Sequence, residues 1–178
     1  IDAGLVVHHA IEILGGNGTI EDFSPLPRLY REVPVQESWE GPHNTLMSQL
    51  LRDALRSKMH DALLAKAQDL LLGVKQPGLA TTREAALAAL DDTRSRLNGI
   101  LRTDPDAAAF HMRGLMTRIA RIMQAALLLE DAQHGAGEKG LGWLGAAAQL
   151  ILNRHVLVGY DPAADRGYPE LIRQVLED

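Results

Sequence analysis

Apolar residues recur three and four positions apart in segment after segment of this chain, and no stretch of useful length alternates apolar and polar residues. A three–four spacing lines one face of a helix, whereas strict alternation lines one face of a strand. Ala (24) and Leu (29) supply 53 of the 178 residues and aromatics only 4%. Ala and Leu are strong helix formers, while strand-built cores draw on β-branched and aromatic side chains. The expected fold is all-α, a helical bundle.

Local signals divide that bundle into helices. Residues 2–14 put Leu5, His9, Glu12 and Ile13 near one face, and Gly15-Gly16-Asn17-Gly18 supplies the left-handed residues that end a helix. Leu26 to Val33 reads as a short helix with Pro27 in its first turn and Pro34 as its stop. Pro42 opens the next helix, with Leu46, Met47, Leu50 and Leu51 at helical spacing. A helix over 57–73 ends before Pro77-Gly78. Thr81-Thr82-Arg83-Glu84 has capping-box spacing and predicts a helix from there to about residue 102. Asp104-Pro105 reads as a cap and first helical residue for a long helix to His134. The most apolar helix is expected over 141–158, and a last one over 168–176.

Composition removes several classes of function. Cysteine is absent, which excludes disulfides, thiolate metal sites and a cysteine nucleophile, and fits a reducing, cytoplasmic setting. The seven histidines do not pair in zinc-site order, so no metal is expected. No run of uncharged apolar residues is long enough to span a bilayer. The chain opens on Ile1 and an apolar Leu5-Val6-Val7 with no basic leader, so it is expected to be an internal or C-terminal piece of something longer. Residues 1–51 hold seven acidic and two basic residues, whereas residues 52–178 hold sixteen of each. That shift in charge and texture suggests two parts, 1–56 and 57–178.

The first part carries three separated motifs: Glu12-Ile13-Leu14-Gly15-Gly16-Asn17-Gly18, then Pro27-Arg28-Leu29-Tyr30-Arg31-Glu32, then Trp39-Glu40-Gly41. In this order and spacing they resemble the C-terminal signature of acyl-CoA dehydrogenases, most closely the AidB-type flavoproteins. The resemblance covers residues 8–52, and beyond residue 56 it is only architectural: relatives carry a helical extension there. It implies an FAD-dependent oxidoreductase acting on an acyl-CoA. It also implies a homotetramer, with N-terminal and middle domains outside this chain, so that these residues alone would be inactive.

By the same resemblance Glu40 is the catalytic base, taking the α-proton of the thioester while hydride leaves the β-carbon. Removal from water beside a flavin raises a carboxylate's proton affinity toward what that step requires. Glu12, Gly15 and Gly16 would lie beside the FAD of a neighbouring subunit, Glu12 where many relatives have Gln. Asn44 would hydrogen-bond the cofactor. Pro42 departs from the pattern: it has neither the hydroxyl nor the N–H that relatives offer there. Taken alone, Glu40 reads as an acid at a helix N-terminus and the glycines as a helix stop. A rival expectation is a binding protein whose extension contacts DNA, with a vestigial dehydrogenase site. Six arginines against two aspartates over residues 94–121 favour it, and the neutral balance of residues 52–178 does not.

Overall fold

In the computed structural model, which describes residues 2–102, 105–135, 142–162 and 164–177, the chain is helical and contains no strand among those residues. The helices are α1 Asp2–Leu14, α2 Leu26–Ser38, α3 His43–Ser57, α4 Met59–Gly73, α5 Ala80–Leu101, α6 Pro105–His134, α7 Trp143–His155 and α8 Tyr168–Glu177. Short 3-10 turns occupy Gly15–Thr19 and Pro77–Leu79. No helix among the described residues is long and apolar enough to cross a membrane. The chain divides into two compact units, Ile1–Leu50 and Leu51–Asp178, and the division falls inside α3.

The larger unit is organised by α6, which packs on α4, α5 and α7. Met112, Leu115, Ile119, Ile122, Ala126 and Leu129 of α6 are all buried, with alternating three- and four-residue steps between them. Such a stripe presents one continuous apolar seam to the neighbouring helices. Facing helices answer with Leu64, Leu71, Ala86, Leu90, Leu97 and Leu152, also buried. Small Ala residues among them let helix axes approach closely.

Long-range polar ties fix the connections. Gln133 of α6 accepts hydrogen bonds from the backbone N–H groups of Lys75 and Gln76 and donates to the carbonyl of Gly73, closing the end of α4. Arg118 donates to Thr93 Oγ1 at 2.8 Å, to Asp92 Oδ2 at 3.0 Å and to the carbonyl of Val156, so one guanidinium joins α5, α6 and the end of α7.

The smaller unit is built differently. Here α1 packs on α2 and on the 3-10 turn that follows it. A Cβ on Gly4 would lie 3.1 Å from Val33 Cγ1, so α1 and α2 approach closely at that glycine. Gly18 is buried, and a Cβ there would lie 2.6 Å from the carbonyl oxygen of Ile11, so the turn folds back on α1 only because this position lacks a side chain. Among the described residues 2–50 no apolar side chain is buried. Leu5, Val6, Ile13, Phe23, Val35 and Trp39 are all exposed.

Three local expectations are corrected. Pro34 does not end α2, which continues to Ser38. Pro34 is exposed, so the carbonyl that loses its donor can be hydrated, and the Ser38 hydroxyl donates to the Pro34 carbonyl at 2.7 Å. The capping box at Thr81 does not form: the turn opened by Pro77 runs straight into α5, so Thr81 already lies inside the helix and Thr82 is buried. The apolar helix expected over 141–158 is α7, which ends at His155, and residue 141 lies outside the described residues, as does the Asp104 cap.

Burial of this kind predicts unequal sensitivity to truncation. Ile122→Ala, at a fully buried position, should lower stability by about 2–5 kcal/mol in urea denaturation. Leu5→Ala, at a residue 54% exposed, should change it by less than about 0.5 kcal/mol. Lys58, between α3 and α4, holds φ at +52°, a left-handed conformation that a non-glycine residue adopts at a cost of about 1–2 kcal/mol. Lys58→Gly should therefore raise the free energy of unfolding in urea by about 1 kcal/mol, after the added freedom of the unfolded glycine is offset.

Candidate functional site

Between α2 and α3 the chain reverses through Trp39-Glu40-Gly41-Pro42. Gly41 has φ of +112° and donates its N–H to the Ser38 carbonyl at 2.9 Å, a backbone state that requires glycine. Pro42 then accepts the first helical bonds of α3, from Thr45 N–H at 2.8 Å and Leu46 N–H at 3.2 Å. The turn thus demands the glycine and leaves the identity of residue 40 free. The consequence for Glu40 is that its side chain opens onto a cleft of about 540 Å³ inside the smaller unit.

That cleft has apolar walls from Ala3, Val7, Leu29, Val33 and Leu46, and its polar rim is Glu32, Gln36, Glu37, Glu40 and His43. A carboxylate facing an apolar-walled cleft is a reasonable proton acceptor for a ligand that displaces the water there. His43, the first residue of α3, lines the same cleft. No helical spacing joins it to Glu40, because Gly41 at φ +112° and Pro42 stand between them, so no local pattern in the sequence pointed to it.

The other four candidates are elsewhere. Glu12, in the last turn of α1, is exposed and accepts a hydrogen bond from His9 Nδ1–H at 2.8 Å, with His8 Nε2 at 3.7 Å from its second oxygen. The His9 hydrogen bond, reinforced by the nearby His8 ring, holds the Glu12 carboxyl below its usual range. Gly15 has φ of +57°, the left-handed stop of α1. Gly16 has no positive φ, is exposed, and a Cβ on it would meet nothing within 4 Å. Asn44 is exposed in the first turn of α3. None of these four lines the cleft that holds Glu40.

The remaining motif residues have structural duties. Arg31 pairs with Glu21, tying α2 to the segment before it, and Tyr30 stacks near His8 with ring centroids 6.1 Å apart. Trp39 is 73% exposed and forms no part of a core. Among the described residues no cluster of His, Asp and Glu could hold a metal ion.

Residues 3–55, which contain all five candidates, match the family described as acyl-CoA dehydrogenase, C-terminal domain. A curated protein of Escherichia coli (strain K12), named "Putative acyl-CoA dehydrogenase AidB", is 52% identical over 46 residues, which is 26% of this chain and 8% of that protein. The chain therefore spans a small fraction of that relative's length. No solved structure matches. The motif order and the two comparisons thus agree on one similarity: residues 3–55 resemble a stretch of acyl-CoA dehydrogenase C-terminal domain.

Proposed function

We propose that the intact protein is an FAD-dependent acyl-CoA dehydrogenase-type flavoprotein and that Glu40 is its base. The observation that carries this reading is the turn at Glu40-Gly41, which opens a carboxylate onto an apolar-walled cleft within the family-matched segment. In this reading Glu40 takes the α-proton of the thioester. With the acyl chain against the apolar walls, solvent would be kept from the carboxylate and from the proton it has taken. Bound FAD would supply the hydride acceptor.

The cofactor side of the proposal rests on Gly16, Gly15, Glu12 and Asn44. Gly16 leaves open space where a side chain would be, which suits close approach of a ligand from outside this chain. Asn44 offers an exposed amide. Glu12, kept ionised by His9, suits a ribityl or ribose hydroxyl and would repel a diphosphate. These groups form one edge of a flavin site. Their separation from the Glu40 cleft is consistent with a cofactor shared between subunits, and the rest of the site belongs to chain outside this one. Residues 57–178 are then the helical extension of the AidB-type branch. Their sixteen cations and sixteen anions over 52–178 do not favour the DNA-binding alternative.

Glu40→Gln in the intact flavoprotein tests this. The amide keeps shape and hydrogen bonding but cannot accept the α-proton, so flavin bleaching by acyl-CoA should slow by about 10²–10⁴-fold. Acyl-CoA affinity should change little, because the base acts mainly in the transition state. Bleaching as fast as the parent would remove Glu40 from the role. A parent whose flavin is bleached by no acyl-CoA would remove the dehydrogenase reading altogether.

A further inference from the structure

The larger unit holds a second cleft, of about 520 Å³, between α5 and α6. Two glycines form part of its surface: Gly99 in the last turn of α5 and Gly114 well inside α6. Glycine inside a helix costs about 1 kcal/mol against alanine. A Cβ on either residue would meet nothing within 4 Å, so no neighbour in the chain requires the missing side chains. What their absence does is leave backbone open to the cleft, a feature that serves close approach of a ligand.

The charge around that opening is unbalanced. Arg96 and Arg118 both line it and both bind the same carboxylate, Asp92. Two guanidinium groups for one carboxylate leave an excess of one positive charge, and none of the lining residues is acidic. Arg118 is only 18% exposed and is held by Thr93, Asp92 and the Val156 carbonyl, so its charge is fixed in place before any ligand arrives. Arg96 uses Nε for Asp92, at 2.8 and 3.0 Å, which leaves its terminal NH groups for another acceptor. His111 adds a third nitrogen donor, and Ile100 and Leu115 supply apolar wall.

We propose that the α5–α6 cleft binds a small organic phosphomonoester. The phosphate would engage Arg96, Arg118 and His111, and its apolar body would rest over the two glycines between Ile100 and Leu115. A phosphate dianion brings three acceptor oxygens to three donor side chains, where a carboxylate brings two. The cleft has the volume of a small-molecule site. Its charge excess is local, because residues 52–178 balance sixteen cations with sixteen anions, whereas a nucleic-acid face spreads its cations along a surface.

Phenyl phosphate titrated calorimetrically into the whole chain at low salt tests the proposal. Saturable one-to-one binding is expected, tighter than for inorganic phosphate and absent for phenol. Arg96→Gln should weaken it at least tenfold. Gly114→Leu, which fills open space, should abolish it without lowering the thermal melt, and Gly114→Ala should weaken it if the leucine variant melts early. Arg113→Gln, exposed and outside the cleft, should leave binding intact. No saturable binding of phenyl phosphate, or equal binding by the well-folded glycine variants, would overturn the proposal. So would binding of duplex DNA in preference to phenyl phosphate, lost equally in Arg96→Gln and Arg113→Gln.

Discussion

A helix in water is held mainly by what its apolar face covers, and in this chain covering begins at Leu51. From there the seam along α6 orders everything around it. The stripe from Met112 to Leu129 is buried on a helix that packs against α4, α5 and α7. Residues 2–50 form helices with the same propensities but bury no apolar side chain among those described. Their apolar stripes are therefore faces awaiting a partner surface.

Polar ties complete the larger unit where packing cannot. Gln133 satisfies two amides and a carbonyl in the loop after α4, groups that would otherwise compete for water at the edge of the core. Arg118 joins three elements through one planar group. By sharing Asp92 with Arg96 it also leaves the α5–α6 cleft positive, so one structural bond network and one candidate binding surface have the same origin.

Much of this was legible in the sequence because it is local. The three–four spacing identified the helices, the order of three motifs pointed to the family, and Pro42 marked the start of α3. Errors came where two local signals competed. Pro34 is a helix breaker in general, but an exposed proline is tolerated in α2. Thr81 had capping spacing, but Pro77 had already started the turn. Of the three glycines and one asparagine at 15–18, only the structure separates Gly18, required by contact with Ile11, from Gly16, required by nothing in this chain. The ties of Gln133 to Gly73 and of Arg118 to Val156 span 60 and 38 residues, and no periodicity announces them. The cleft around Glu40 was likewise invisible, since α1, α2 and α3 each contribute to it.

The dependence of residues 2–50 on a surface outside the chain is tested most directly by residue-resolved amide hydrogen exchange on these 178 residues. Amides of α6 around Ile122 should exchange only through global unfolding, while those of α1 and α2 should exchange with little protection, opening locally at a small fraction of that free energy. Equal protection of α1, α2 and the centre of α6 would contradict the account, because it would require a stability in residues 2–50 that their exposed apolar faces do not supply.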